Sequence, residues 1–326
     1  MGVLGAARIT PMALIRPARQ VDGVVVAAVA ARDPSRARRF AQAHNIATVH
    51  ENYEQLLNDA NVDAIYNPLP NSHHKELTIR ALQAGKHVLC EKPLAANADD
   101  ARAMHEAAVQ AGKVLMEAFH WRYHPLATRV LDDIARLGTL KRVRTSFCVP
   151  MLWTGDIRFR KNLAGGALMD TGCYAVNIAR TFCGVAGTHS ALVVDEARAW
   201  LASPDVDRAF WGRLHTDEGV VVEVQCSLLS SRLLSARARI EGEHGTIDVW
   251  NPIAPQFFHR LRTRINGSAS SSSVAGRASY VHQLEAFRDA VIGAKPFPST
   301  SLDGIANMAT IDALYAKAGL PRRESI

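Results

Sequence analysis

The chain has 326 residues, 48% hydrophobic and 21% charged, enough apolar material for two packed domains and too much for a disordered chain. Thirty-eight Lys and Arg against 31 Asp and Glu leave a net charge of +7, but the basic residues are scattered and form no stripe with aromatics, so nucleic acid is not an expected partner. No run approaches the ~18 apolar residues of a membrane-crossing helix, no secretory leader opens the chain, and the five cysteines contain no C-x-x-C pair, so neither membrane nor disulfide framework is expected and the cytoplasm is the default compartment.

Gly2–Leu4 is a short apolar strand running into the turn Gly5-Ala6-Ala7-Arg8-Ile9-Thr10. Gly5 permits a tight turn, and Ala7 is small enough for a pyrophosphate to approach the N-terminus of the next helix, Pro11–Gln20. Two glycines of the full G-x-G-x-x-G fingerprint are replaced, so the turn alone is weak evidence for a dinucleotide. The strand is a stub: either the natural chain starts further upstream or this edge is frayed. Val24–Ala30 reads as a buried strand ending in Arg32-Asp33-Pro34-Ser35-Arg36, with Asp33 as N-cap of helix Pro34–His44. A carboxylate at this strand tip would bind the ribose diol of NAD, an arginine the 2′-phosphate of NADP. Arg32 takes the tip and Arg36 follows one helical turn later, so NADP is favoured and NAD stays possible.

Tyr53–Asn58 reads as a helix and Val62–Asn67 as a strand. Pro68, Leu69, Pro70 and Asn71 then form a stiff loop at the carboxyl end of the sheet, where ligands bind in such folds, and Asn71 is expected to cap helix His73–Ala84, which carries His74. Strand His87–Cys90 stops at Glu91-Lys92-Pro93, where the proline restricts a lysine at the end of a buried run. Helix Asn97–Ala111 and strand Val114–Met116 complete an alternation that implies a parallel, doubly wound α/β sheet of Rossmann type.

After about residue 120 the pattern changes to α+β. Helix Pro125–Leu137, strand Arg142–Val149 and the helical stretch Gly166–Phe182 precede a run of antiparallel-looking segments: Ala191–Trp200, Arg208–His215, Gly219–Ser227, Arg237–Gly242 and Thr246–Trp250. Val281–Ile292 and Leu302–Ala318 are closing helices, and the serine-rich Ser268–Ser273 reads as a flexible loop. The expected division is a dinucleotide-binding domain over 1–120 and a second domain over 121–326.

Taken together, "VLGAARI", "NPLPNSHH", "EKP", "MEAFHWRYHP" and "GGALMDTGCYAVNIAR" resemble the Gfo/Idh/MocA family of NAD(P)-dependent oxidoreductases, nearest the branch of dimeric dihydrodiol dehydrogenases, NADP-dependent D-xylose dehydrogenases and glucose–fructose oxidoreductase. The motifs stand in the family's order over about residues 1–185. The resemblance implies an open-faced, mostly antiparallel sheet in the second domain that serves as a homodimer interface. It also implies a cis Lys92-Pro93 bond that aims Lys92 into the interdomain cleft. Gly5, Ala6, Ala7, Arg8, Ile9, Arg32, Arg36, the loop Pro68–Asn71, His74, Glu91, Lys92, Trp121 and Arg122 become the candidate cofactor contacts, and His120 a substrate-pocket residue. Many family members carry His where Tyr174 stands; this branch carries Tyr.

On a helix, Asp170 and Tyr174 lie one turn apart on one face. A tyrosine with pKa near ~10 is a poor base unless a cation favours its phenolate. Tyr174 is therefore assigned the acid/base role, with Lys92 lowering its pKa and binding the substrate oxygen, and Asp170 orienting substrate or Lys92. The reverse assignment, Lys92 as proton carrier, stays open. Arg158, Arg160 and Lys161 read as surface charges, and Tyr280 and Gln283 as packing residues. No metal is predicted from the thirteen histidines. The expected activity is NADP-dependent hydride transfer on a hydroxyl or carbonyl of a sugar-like or trans-diol small molecule. The rivals are a nicotinamide-dependent glycoside-cleaving enzyme of the same fold and a catalytically silent nucleotide or sugar sensor.

Overall fold

The structure, a computed structural model, describes residues 1–151, 155–184, 192–230 and 234–326. The first half alternates β1 (Gly2–Leu4), a π-helical turn (Pro11–Ile15) running into α1 (Arg16–Ala18), β2 (Ala28–Ala30), α2 (Pro34–His44), β3 (Thr48–His50), α3 (Tyr53–Asn58), β4 (Ala64–Asn67), α4 (His74–Gln83), β5 (His87–Cys90), α5 (Ala98–Ala111) and β6 (Leu115–Glu117). The six strands pair in parallel in the order β3-β2-β1-β4-β5-β6. Chain order reverses on either side of β1, and in such sheets the crevice for a ligand opens at the strand carboxyl ends of that switch point. Gly5, Pro68–Asn71 and Glu91–Pro93 all leave the sheet there.

The second half follows with α6 (Pro125–Ile134), β7 (Leu140–Cys148), a π-helical turn (Leu168–Gly172) and α7 (Cys173–Phe182). Next come β8 (Val193–Ser203), β9 (Val206–His215), β10 (Val221–Ser227), β11 (Ser235–Gly242), β12 (Gly245–Trp250), β13 (Arg260–Ile265), β14 (Ser268–Ser272), α8 (Ser279–Gly293) and α9 (Ser301–Lys317). Its eight strands run in the order β14-β13-β12-β11-β7-β10-β9-β8, all antiparallel except β7 with β10. One face is packed: Ala236, Ala238 and Ile240 of β11 and Val222, Val224 and Cys226 of β10 point inward beneath α7. The alternate residues Arg237, Arg239, Glu223, Gln225 and Trp211 face outward, the alternation of a sheet covered on one side. The two closing helices return to the first half. α8 packs on α1 and on the short 3₁₀ turn His120–Tyr123, while α9 packs on α5 and α7, and Thr300 just ahead of it bridges Met116 of β6.

Several expectations need correction. The strand foreseen over Val24–Ala30 pairs only from Ala28, because Val25 stands exposed before the sheet begins. The segment Thr48–His50 is a strand that its mixed polarity hid. Ser268–Ser272 is not a flexible loop but an edge strand paired to β13, which had also been missed. The turn joining them is Asn266-Gly267, both at positive φ, a hairpin signal that the serine composition overshadowed. Ala191, the expected start of one strand, lies outside the described residues, and the pairing begins at Val193.

Candidate active site

Lys92 is positioned by a set of bonds that leave its backbone little freedom. Glu91 N donates to Asn67 O at 3.0 Å, the Lys92–Pro93 bond is cis, and Leu94 N donates to Glu117 Oε1 at 2.8 Å. His74, fully buried, stands between the two cofactor-side loops, with Nδ1 2.9 Å from Pro93 O and Nε2 2.8 Å from Leu69 O, and a neutral ring donates its one N–H to one of these carbonyls. Burial pushes His74 down to about 4, so it is neutral. The Lys92 ammonium donates to Asp170 O and Asp170 Oδ1, both at 3.0 Å, across 78 residues of sequence. The second Asp170 oxygen accepts from Arg158 Nε at 2.9 Å, and Arg158 is itself held by Asp156 at 3.0 Å. Burial works against the Lys92 charge, but the Asp170 carboxylate outweighs it, so Lys92 stays charged above the ordinary lysine range. For Asp170 burial opposes charge in the same way, and Lys92 and Arg158 win, lowering its pKa.

Tyr174 opens the second turn of the same helical stretch. The one-turn spacing from Asp170 is reached through the wider π turn Leu168–Gly172, a distortion often found where side chains must be re-aimed. Its first turn is fixed from outside. Asp207 Oδ2 accepts from Leu168 N at 2.7 Å, while Arg323 Nη2 and the Tyr315 hydroxyl hold the other oxygen at 3.0 and 2.8 Å. Gly166, at φ +137°, passes so close that a Cβ there would sit 2.2 Å from Asp207 Oδ1.

The Tyr174 ring lies edge-on to Phe119 (5.3 Å), Phe147 (5.6 Å) and His120 (6.0 Å), with Lys92 Nζ 5.0 Å from its centroid. Its hydroxyl makes no hydrogen bond among the described residues, yet it is not sealed from solvent. Here the structure departs from the sequence-based expectation. Burial, followed by the fields of Tyr280 and Glu91, pushes the Tyr174 phenol well above its usual value, and the nearby ammonium, engaged by Asp170, does not reverse this. In this state Tyr174 holds its proton.

On the cofactor side, Gly5 sits at φ +80° and a Cβ there would press on the Leu69 side chain at 2.9 Å, so the turn needs glycine. Arg36 Nη2 donates to Ala6 O at 2.8 Å, placing its guanidinium beside the turn, and Arg32 stands exposed at the tip of β2. Asp33 caps α2 as expected, its carboxylate accepting from Ser35 N at 2.9 Å. Ala6, Ala7 and Ile9 stay partly open on the turn and Arg8 is exposed. A tight glycine turn with two arginines at the neighbouring strand tip fits a phosphate-bearing dinucleotide.

Other candidate residues face elsewhere. Asn71 does not cap a helix; its Nδ2 donates to Ala164 O at 3.0 Å, reaching the second half of the chain. Trp121 is buried with Nε1 on Asn177 Oδ1 at 3.0 Å, and Arg122 pairs with Asp303, so both brace the cleft from behind. Glu91 accepts from the Tyr66 hydroxyl at 2.6 Å. His120 and His124 stand four apart, a spacing a metal would tolerate, but His120 Nδ1 meets Ser279 while His124 Nδ1 accepts from Leu126 N. Among the described residues no three His, Cys, Asp or Glu converge as a metal site. Two residues set aside on sequence belong to the site: Arg158, which holds Asp170, and Tyr280, stacked on His120 at 3.9 Å. Tyr280 carries no local signal, since His120 is remote in sequence, whereas Arg158 stands only two and twelve residues from Asp156 and Asp170 and its charge was set aside as a surface one.

Comparison with known proteins bears on the family and the fold. Residues 1–119 match the model of an oxidoreductase family with an NAD-binding Rossmann fold, and residues 128–248 match a GFO/IDH/MocA C-terminal domain. The chain is 35% identical over 322 residues to D-xylose 1-dehydrogenase (NADP(+)) 2 of Haloferax volcanii, covering 97% of this chain and 96% of that one. It is 42% identical over 158 residues to trans-1,2-dihydrobenzene-1,2-diol dehydrogenase of Xenopus laevis, 48% of this chain and 47% of that one. Among solved structures, a 3-ketoreductase from Actinomadura kijaniata in complex with NADP and TDP-benzene superimposes with TM-score 0.87 at 27% identity, covering 100% of this chain and 98% of that one.

Proposed function

The chain belongs to the Gfo/Idh/MocA oxidoreductase family, and on that premise we propose that Lys92 and Tyr174 are the groups that handle the reacting oxygen of its substrate. The enzyme is an NADP-dependent oxidoreductase acting on a hydroxyl or carbonyl of a sugar-like or diol substrate. When bound, the dinucleotide supplies or takes up the hydride. The observation that carries the assignment is the meeting of the two side chains, from opposite halves of the chain, beside a hydroxyl left without a protein partner.

Lys92 keeps a third ammonium hydrogen beyond the two on Asp170, and the Tyr174 hydroxyl has no acceptor among the described residues, so both donors are open to one substrate oxygen. A carbonyl oxygen placed there gains two donors, and its growing negative charge on reduction is stabilised by the fixed ammonium. Tyr174, which keeps its proton, then supplies it to the nascent alkoxide and is left as phenolate; in the oxidative direction that phenolate oxygen takes the proton back from the substrate hydroxyl. Asp170 keeps Lys92 charged and aimed, and Arg158 fixes Asp170. Gly5, Ala6, Ala7, Arg8 and Ile9 would cradle the pyrophosphate, Arg32 and Arg36 the 2′-phosphate, and Pro68, Leu69, Pro70 and Glu91 would line the path to the reacting ring. Asn71, His74, Trp121 and Arg122 support that path rather than touch the cofactor.

The same reading divides the chain into a dinucleotide-binding part over 1–120 and a substrate-binding and dimerisation part over 121–326, with the open face of the eight-stranded sheet as the homodimer interface. That face carries Trp211 between Arg198 and Arg213, Trp250 under Arg237 at 4.1 Å, and an exposed Trp200, a composition suited to association. Cys90, Cys173, Cys183 and Cys226 are free thiols, in keeping with a cytoplasmic location. Turnover of a panel of aldoses and trans-diols, followed by reduced-nicotinamide absorbance, tests the activity. Steady NADPH production supports it; product formation with no net change in cofactor points instead to the glycoside-cleaving rival.

A further inference from the structure

His120 lies beside Tyr174, edge-on to its ring and stacked on Tyr280, but the proposed reaction gives it no task. Its ring is part of a directed chain of hydrogen bonds. Nδ1 lies 2.7 Å from Ser279 Oγ, and Ser279 Oγ donates its single hydrogen to Gln256 Oε1 at 3.0 Å. With that hydrogen committed, Ser279 can only accept from His120, so Nδ1 carries the ring's proton. Burial, and then the charge of Lys92, hold His120 down to about 3, so the ring is neutral and Nε2 is a bare lone pair. Nε2 has no hydrogen-bond partner among the described residues and is not sealed from solvent.

The cleft therefore offers two kinds of partner. On the proposed reading Lys92 and Tyr174 give donors to one oxygen, whereas His120, edge-on to Tyr174, has only an acceptor to give. We infer that His120 Nε2 accepts a hydrogen bond from a substrate hydroxyl next to the reacting carbon, making it the residue that selects vicinal hydroxyl compounds over simple alcohols and carbonyls. A carbonyl oxygen or ether in that place finds no donor. A bound methylene shuts water away from the imidazole nitrogen and leaves it unpaired, which is the costly outcome. The assignment rests on the Lys92–Tyr174 reading and adds the substrate class to it.

The test is a ratio of kcat/KM values at saturating NADP: D-glucose against 2-deoxy-D-glucose, and a vicinal trans-diol against the matching mono-alcohol. The wild type should prefer the hydroxylated member by about ten- to a hundredfold, the range set by leaving a buried acceptor unpaired. His120→Phe should collapse that ratio toward one. Ser279→Ala, a milder change that frees the tautomer, should lower it several-fold should the first variant fold poorly. Gln256→Glu offers only acceptor oxygens, so it preserves the direction of the chain and should keep the preference. A ratio unmoved by His120→Phe or by Ser279→Ala, or lost in Gln256→Glu, overturns the inference while leaving the reaction intact. A wild type that turns over none of these compounds contradicts the underlying Lys92–Tyr174 assignment instead.

Discussion

Two clusters of buried charge lie close together in this molecule, and they are built differently. Arg180, Asp303 and Arg122 join α7, α9 and the His120–Tyr123 turn, with side chains 0%, 0% and 8% exposed. Lys92, Asp170 and Arg158 join the end of β5 to the π turn, with side chains 15%, 22% and 42% exposed. The first cluster is sealed, so every charge in it must be answered within the protein. The second has a wet edge, so a ligand can share its charges and the partners can re-pair when one is lost. Similar ion pairs thus stand sealed for cohesion in one place and, on the proposed reading, open for chemistry in the other.

The largest expected effect comes from the cleft cluster. Lys92→Met should lower kcat by about a thousandfold, within the ~10²–10⁴ range of lost acid/base and charge assistance. Asp170 keeps Arg158 as partner, so the melting temperature should hardly move. Steady-state rates and a thermal melt on the same sample read both; equal damage to stability would erase the contrast. Asp303→Ala should show the opposite profile. It removes the fully buried carboxylate that faces both Arg180 and Arg122, a loss of about 3–5 kcal/mol by urea unfolding. If that variant proved as stable as wild type, the sealed cluster would not be cohesive.

A smaller effect is expected where solvent reaches further. Arg32→Glu should shift the NADP-over-NAD ratio of kcat/KM downward by about tenfold or more, because one charge-assisted phosphate contact is worth roughly 1.5–3 kcal/mol. The finest probe is pH. Burial, and then Asp303, push Glu117 up to about 8 from an ordinary 4.5, and its Oε2 has no partner. Its folded value exceeds its unfolded one, so the stability it contributes is full below about 4.5 and is lost as pH rises through about 8. Unfolding free energy should fall over that window by at most about 1.4 kcal/mol per pH unit from this group, and Glu117→Gln, which still accepts from Leu94 N, should flatten the slope.

Much of the first half was readable because its signals are local. Asp33 announces its own cap and helix, and α2, α3 and β5 fall where side-chain pattern and punctuation place them. The site was readable in its parts, since Lys92 and Tyr174 sit in recognisable segments. The direction of individual side chains was not, because it depends on partners far along the chain. Trp121 is turned inward by Asn177, Arg122 by Asp303, and Asn71 reaches Ala164, separations of 56, 181 and 93 residues. The sign of the Tyr174 shift was missed for the same reason: Phe119 and Phe147 bury the ring, and no spacing rule reports that. The β13–β14 hairpin was the reverse case, a local Asn-Gly signal present but outweighed by a run of serines.

The pairing of Lys92 with Tyr174 at one reacting oxygen is tested most directly by Tyr174→Phe, with single-turnover hydride transfer and NADP affinity measured together across pH. The account predicts a fall of about a hundredfold or more in the rate of transfer, an unchanged dissociation constant for NADP, and loss of the pH dependence carried by the phenol. A phenylalanine variant that transfers hydride at the wild-type rate with the wild-type pH profile would contradict it.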